Sequence, residues 1–190
     1  MTRRARVAGL LVPLLLMSAC SDVGGTGDRE YIEGSGGVVE IAPDKRPDPV
    51  DMSGTTVQGD KLDIGDLRGK VVVLNVWWSG CGPCRTEMPM LVEAERELGR
   101  EKVAFVGINI RDLAPENAAA FERDRGVEYP SFYDPGSETL LALGKYAPPY
   151  VPATVVLDTE GRVAAIINGP IPSKSTLTTL VDDTLAESDA

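Results

Sequence analysis

The stretch VVVLNVWWSGCGPCRTEMP, residues 71–89, joins an apolar run to a pair of cysteines and the start of a helical pattern. The run at 71–78 is continuous and rich in β-branched residues, which predicts a strand buried on both faces. Apolar residues then recur every three or four positions between 83 and 100, which predicts a helix. Cys81 and Cys84 therefore lie where a buried strand passes into the first turn of a helix.

The segments that follow continue this alternation of strand and helix. VAFVGINI at 103–110 predicts a second buried strand, and Pro115 and Gly126 mark the start and end of a helix. Further segments predict a short strand at 129–134 and a small helix at 137–144. They are followed by a tight two-stranded hairpin at 153–168 and a closing helix at 173–187, capped by Ser173. This order predicts an α/β domain with a central mixed β-sheet flanked by helices.

Four roles for the cysteine pair were compared. A structural zinc site needs further Cys or His ligands, but the chain has no histidine and its third cysteine, Cys20, lies near the N-terminus. Haem attachment needs a histidine directly after the second cysteine, where Arg85 stands. A structural disulfide stays open, although so short a loop would constrain the unfolded chain little. Redox catalysis is favoured, because the helix start offers Cys81 unpaired N–H groups and a positive dipole end. We predict neither a metal site nor a cofactor.

The strand, the WWSGCGPC junction, the helix and the proline-preceded hairpin resemble the thioredoxin fold. DLRGKVVVLNVWWSGCGPCRTEMP, residues 66–89, resembles the TlpA/ResA-like branch of extracytoplasmic thiol-disulfide oxidoreductases. By this resemblance, the stretch 112–126 is an inserted helix after the second core strand. The resemblance implies that Cys81 attacks a substrate disulfide and that Cys84 resolves the mixed disulfide. It also implies that Pro152 follows a cis peptide bond facing the active site, and that the backbone around Val151 pairs with an extended substrate segment.

Other positions depart from the commoner thioredoxin pattern. A thioredoxin carries a buried aspartate six residues before its first cysteine, where this chain has Asn75. The substitute candidate is Glu87, which lies three residues after Cys84 and matches an active-site glutamate of this branch. A partly buried carboxylate there would have a raised pKa and would pass protons, the alternative being a solvated helix carboxylate. Gly80 replaces a frequent tryptophan and Trp78 a small residue, so we predict that Trp78 affects substrate binding, with core packing as its alternative.

The N-terminal residues predict export and membrane anchoring. Residues 1–19 combine a positive start with a short apolar run, as in a signal peptide. The run ends in MSAC, which resembles the lipobox of bacterial lipoproteins and implies that Cys20 carries lipid, with ordinary signal cleavage as the alternative. Gly, Ser, Asp and Pro dominate residues 20–50, which predicts a flexible tether with an apolar patch at 38–41 suited to an edge strand. The thioredoxin-like domain is placed at 51–190.

These features predict a lipoprotein on the outer face of the cell membrane that reduces protein disulfides, with apocytochrome c maturation as the family association. The expected partners are protein thiol/disulfide substrates, a membrane thiol electron donor and, through the lipid anchor, the membrane. Nucleic acid is not expected, because the net charge is −10. A peroxiredoxin-like peroxidase is disfavoured, since those enzymes have a threonine where Trp78 stands. A binding or chaperone module with a structural disulfide is a third alternative, which deep burial of Cys81 would favour.

Overall fold

The computed structural model describes residues 32–33 and 37–188. Its strands are β1 (Ile32–Glu33), β2 (Val38–Glu40), β3 (Ser53–Thr55), β4 (Lys61–Asp63), β5 (Val71–Trp77), β6 (Val103–Asn109), β7 (Ser131–Tyr133), β8 (Ala153–Leu157) and β9 (Val163–Asn168). Its α-helices are α1 (Gly82–Leu98), α2 (Pro115–Arg125) and α3 (Lys174–Ser188). Short 3-10 helices cover Pro43–Lys45, Ile64–Leu67 and Thr139–Tyr146.

The central sheet is mixed and has the strand order β1-β2-β9-β8-β5-β6-β7 within the described residues. Strands β5, β6 and β7 run parallel, whereas β8 is antiparallel to β5 and to β9. Strands β3 and β4 form a separate hairpin. The predicted mixed sheet is confirmed, and α2 lies where the inserted helix was expected, directly after the second core strand.

The central strand β5 is buried at all seven positions, because its two faces contribute to two different apolar clusters. Val71, Val73 and Trp77 pack in the cluster that includes residues of α1 and α3. The intervening side chains, Val72 and Leu74 among them, pack in the cluster on the opposite face. Because side chains alternate between the faces of a strand, Asn75 points to the same side as Val73 and Trp77, beneath α1.

The sheet includes residues that the sequence analysis assigned to the tether. Val38 pairs with Ile167 of β9, and Ile41 is only 2% exposed. The side chain of Arg46 is 4% exposed and forms an ion pair with Asp158 at 3.1 Å. The apolar patch at 38–41 does form a strand, but β1 pairs with its outer side, so β2 is not at the sheet edge. Folded structure therefore begins before position 51.

The predicted signal peptide at 1–19 and the predicted lipidation site at Cys20 lie outside the described residues. Within the described ranges, no helix has both the length and the apolar composition needed to cross a bilayer.

Two local predictions differ from the observed elements, and one is confirmed. The small helix predicted at 137–144 is a 3-10 segment at Thr139–Tyr146, which Gly144 interrupts with a φ of 54°. Helix α1 continues through Pro89 and ends at Leu98, before the predicted end at position 100. The cap predicted for the closing helix is present, because Ser173 Oγ accepts a hydrogen bond from the Thr176 N–H at 3.1 Å.

Candidate active site

The two cysteines form a disulfide across the first turn of α1, with their Cα atoms 5.2 Å apart. Cys81 is the N-cap residue of this helix, and its sulfur accepts a hydrogen bond from the Cys84 N–H at 3.1 Å. Once the disulfide is reduced, the same N–H and the positive end of the helix dipole would stabilise a thiolate on Cys81. The strand-to-helix junction therefore favours Cys81 as the nucleophile.

The two sulfurs differ in their access to solvent. Cys81 is 5% exposed, whereas Cys84 is completely buried. Gly80, Gly82 and Pro83 around Cys81 are exposed, so a partner can approach this side of the disulfide. The low exposure of Cys81 is the feature that favours the alternative of a binding module.

Glu87 lies one turn after Cys84 on α1 and is 5% exposed, so it is not a solvated surface carboxylate. Its Oε1 accepts a hydrogen bond from Asn75 Nδ2 at 3.1 Å, and its Oε2 accepts one from the Ile171 N–H at 3.1 Å. Burial raises the pKa of Glu87, and these two hydrogen bonds partly oppose the rise. Such a group can hold or release a proton closer to neutral pH than an ordinary glutamate.

Asn75 joins three parts of the site. Besides Glu87 on α1, its Nδ2 approaches Thr154 Oγ1 at 3.4 Å and the Ala153 carbonyl oxygen at 3.5 Å, both on β8. The sequence analysis noted Asn75 only as the residue that replaces an aspartate. The strand alternation of β5 was the signal that could have revealed its contact with α1, because it places Asn75 on the helix side of the sheet.

Trp78 and Gly80 are coupled in space. Trp78 is partly buried against the apolar cluster beside α1, and its ring covers Gly80 so closely that a Cβ on Gly80 would lie 2.2 Å from Trp78 Cζ3. The tryptophan at position 78 therefore requires the glycine at position 80. Trp77 is a core residue, being fully buried and stacked on Phe121 at a centroid distance of 4.9 Å.

The peptide bond between Val151 and Pro152 is cis, as the resemblance implies. Val76 of β5 pairs with Ala153 of β8, so Pro152 lies at the same end of the sheet as the residues that follow Trp77. Val151 is partly exposed there. The predicted substrate-contacting residues thus lie at the end of the central sheet where the cysteine pair is found.

A mostly apolar cleft of about 400 Å³ opens beside the buried carboxylate, and its lining residues are Pro83, Thr86, Glu87, Met90, Pro170 and Ile171. It connects the first turns of α1 with the segment between β9 and α3. An apolar side chain of a bound polypeptide would fit this cleft in size and character.

The sequence of this chain matches the Redoxin family over residues 42–181. The chain belongs to the Redoxin family. The thiol:disulfide interchange protein HelX of Rhodobacter capsulatus is 32% identical over 146 residues, which cover 76% of this chain and 75% of HelX.

Two further comparisons extend the Redoxin assignment. The thiol-disulfide oxidoreductase ResA of Bacillus subtilis is 29% identical over 113 residues, or 58% of this chain, and the match spans 60% of ResA, less than two thirds of its length. The crystal structure of a DsbF homologue from Corynebacterium diphtheriae superposes with a TM-score of 0.73 and 34% identity, covering 80% of this chain and 96% of that one. The thioredoxin-like fold and the resemblance to the TlpA/ResA-like branch are confirmed.

Proposed function

We propose that the protein is an extracytoplasmic thiol-disulfide oxidoreductase that reduces disulfides of other proteins. The observation that supports this most strongly is the Cys81–Cys84 pair at the start of α1, with Cys81 at the helix N-cap and Cys84 buried behind it. Membership of the Redoxin family and relatives named thiol-disulfide oxidoreductase and thiol:disulfide interchange protein support the same activity.

In the proposed reaction, the Cys81 thiolate attacks one sulfur of a substrate disulfide. A bond forms between Cys81 and that sulfur, and the other substrate sulfur leaves as a thiolate that takes a proton from water. Cys84, after losing its proton, attacks the sulfur of Cys81 and releases the second substrate thiolate. Two electrons have then passed from the dithiol to the substrate, and the Cys81–Cys84 disulfide has formed.

Glu87 is proposed to accept the proton of the Cys84 thiol before the second step. Its raised pKa makes it a stronger base than an ordinary carboxylate, and it lies on the same helical face as Cys84. Cys84 has no exposed surface, so a protein group near it is better placed than bulk water to take its proton.

Trp78, Val151 and Pro152 are proposed to bind the substrate. The partly exposed Trp78 and Val151 flank the entrance to the cysteines from neighbouring strand ends. An extended substrate segment would pair with the backbone at Val151, while an apolar side chain would enter the cleft beside Met90 and Ile171.

The protein is also proposed to be a lipoprotein on the outer face of the cell membrane, anchored through Cys20 after removal of residues 1–19. The MSAC sequence supports the anchor. Each turnover leaves a disulfide that two electrons must reduce, so an electron donor is required, and a membrane thiol is the proposed one. Apocytochrome c, whose thiols must be reduced before haem attachment, is the proposed substrate.

Trapping of a mixed disulfide tests the central proposal. In the mature chain with Cys20→Ser, Cys84→Ser should accumulate a covalent complex with a disulfide substrate, whereas Cys81→Ser should not. Equal trapping by both variants would reject Cys81 as the nucleophile.

The reduction potential tests the direction of the reaction. A value near about −270 mV would support a reductant, and one near about −120 mV would indicate an oxidant. A disulfide that never equilibrates with thiol buffers would instead favour the structural disulfide of a binding module.

A further inference from the structure

The loop that carries the chain from β5 to Cys81 is held by a buried carboxylate from another element. Asp112 follows β6 and is 4% exposed. Its Oδ2 accepts a hydrogen bond from the Ser79 N–H at 2.9 Å, and its Oδ1 accepts one from the Ser79 hydroxyl at 2.6 Å. Both polar groups that Ser79 can donate are therefore directed at one side chain.

A third donor fixes the carboxylate itself. The Nδ2 of Asn109, which is fully buried at the end of β6, donates to Asp112 Oδ2 at 2.7 Å. The Tyr133 hydroxyl donates to the Asp112 carbonyl oxygen at 2.9 Å. Side chain and backbone of Asp112 are thus held from the side of β6 and β7, so the residue connects these strands to the loop at Ser79.

The backbone at Arg111 adopts an unusual conformation that brings Asp112 to this place. Arg111 has a φ of 63°, and the Asp112 N–H donates to the Ile110 carbonyl oxygen at 2.8 Å. This hydrogen bond across one residue with positive φ is the pattern of a γ-turn of the rare, strained type. Strained backbone that persists in a folded protein is concentrated at functional sites.

We infer that Asp112 is a positioning residue for the thiol-disulfide exchange, an inference that rests on the proposed role of Cys81 as the nucleophile. By holding Ser79, it fixes the chain two residues before Cys81. The Cys81 N–H donates to the Trp78 carbonyl oxygen at 3.1 Å, so the position of the helix start depends on this loop.

The loop has little else to fix it. Gly80, between Ser79 and Cys81, is exposed and lacks a side chain, so apart from its contact with the Trp78 ring its backbone is weakly restricted. The Ser79 carbonyl oxygen receives a hydrogen bond from Arg85 Nη1 at 3.3 Å, but this bond is exposed to solvent. The bonds from Ser79 to Asp112 are partly buried, so they are better shielded from water than the Arg85 bond and hold the loop that leads to Cys81.

The hydrogen-bond donors around Asp112 predict that Asp112→Asn and Asp112→Ala have different effects on the loop. Two of them, the Ser79 N–H and Asn109 Nδ2, share Oδ2, whereas the Ser79 hydroxyl at Oδ1 can also accept. In Asp112→Asn, the amide oxygen can take the place of Oδ2, and the amide NH₂ can donate to the hydroxyl. This variant keeps the hydrogen-bond connections without the charge, whereas Asp112→Ala removes them all.

Asp134 offers a matched control for the loss of a buried aspartate. It is 7% exposed and accepts hydrogen bonds from the Glu138 N–H, the Thr139 N–H and the Thr139 hydroxyl at 2.9, 2.8 and 2.6 Å. These donors resemble those of Asp112, but they stabilise the 3-10 segment rather than the loop before Cys81.

The test compares the reduced mature chain carrying Cys20→Ser with its Asp112→Ala, Asp112→Asn and Asp134→Ala variants. Oxidised glutathione is the substrate, and the pH profile of Cys81 alkylation by iodoacetamide is a second readout. Asp112→Ala should slow exchange roughly tenfold or more and move the alkylation profile to higher pH. Asp112→Asn should recover most of the rate. Asp134→Ala should lower stability in urea without either change.

The inference is overturned if Asp112→Ala and Asp134→Ala have the same rates and alkylation profiles, or if Asp112→Asn is as slow as Asp112→Ala. If Asp112→Ala does not fold, Ser79→Ala, which loses one bond, should show a smaller change in the same direction, and no change would also overturn it. Failure of the proposed function gives a different result, namely an unsubstituted protein no faster than Cys81→Ser. The alkylation profile then still tests the positioning role.

Discussion

Replacement of Glu87 by glutamine separates the catalytic role of this residue from its effect on stability. The change keeps the shape of the side chain and removes its charge. Both oxygens of Glu87 accept hydrogen bonds, from Asn75 Nδ2 and from the Ile171 N–H. A glutamine has only one oxygen, so one buried donor would face the NH₂ group, which costs about 1–3 kcal/mol.

The pH dependence of stability gives a second effect, which favours Glu87→Gln over the unsubstituted protein as the pH rises. Burial raises the pKa of Glu87 in the folded protein above the value of 4.5 that the unfolded chain is taken to have. The folded state therefore binds this proton more tightly, and stability falls as pH rises from 4.5 through the folded pKa. The loss is about 1.4 kcal/mol for each unit of difference between the two pKa values. Glutamine does not titrate, so Glu87→Gln lacks this loss.

The free energy of unfolding in urea, measured from acid to neutral pH, checks this reasoning. At acid pH, the unsubstituted protein should be more stable than Glu87→Gln, and the difference should shrink as pH rises. Glu93→Gln on the exposed side of α1 serves as a control for the loss of a carboxylate from this helix, since the Glu93 side chain is 67% exposed. A difference that is constant or grows with pH would refute the reasoning.

The rate of mixed-disulfide resolution gives the catalytic half of the prediction. If Glu87 accepts the Cys84 proton, Glu87→Gln should slow this step about 100-fold, within the usual range for a general base. Stopped-flow measurement of the second step at neutral pH would detect it. An unchanged rate would show that water or another group takes the proton, even if the stability prediction holds.

Two further substitutions test the packing of the domain. Gly80→Ala should cost about 1–3 kcal/mol in urea unfolding, because its Cβ would lie 2.2 Å from Trp78 Cζ3, and the cost should largely vanish in a Trp78→Ala background. Arg46→Ala should lower the free energy of unfolding by about 3 kcal/mol, because the Asp158 side chain is only 2% exposed and would lose one of its ion-pair partners. Arg46→Ala should also speed amide hydrogen exchange at residues 38–46. Arg162→Ala is the control, because the Arg162 side chain is 27% exposed, and it should change the unfolding free energy and the exchange rates less.

The core of the fold could be predicted because its elements are encoded locally. The β-branched run at 71–78 became β5 at Val71–Trp77, and the helical spacing at 83–100 became α1 at Gly82–Leu98. The cysteine pair lies at their junction, so the nucleophile region followed from the same local pattern. Strand β2 was harder to predict, because its pairing partner, Ile167 for Val38, lies far along the chain.

The supporting residues of the site depend on contacts between elements, which a sequence pattern does not show. Asp112 holds Ser79 only because the parallel strands β5 and β6 end at the same sheet edge and because Arg111 takes a positive φ. The contact between Asn75 and Glu87 likewise joins a strand and a helix. The residues proposed to carry the chemistry could be identified from the sequence, whereas the contacts proposed to position them required the structure.

The residues at which this chain departs from the thioredoxin pattern contact one another in two pairs, Asn75 with Glu87 and Gly80 with Trp78. An aspartate at position 75 would bring a second carboxylate against Glu87, whose Oε1 is 3.1 Å from the present Asn75 Nδ2. Two carboxylates at that distance cannot both ionise at ordinary cost, so one pKa would rise strongly. The amide instead donates a hydrogen bond that favours the ionised form of Glu87. The asparagine therefore belongs with the glutamate, just as Gly80 belongs with Trp78, because a carboxylate at position 75 would oppose Glu87 electrostatically and a side chain at position 80 would clash with the Trp78 ring.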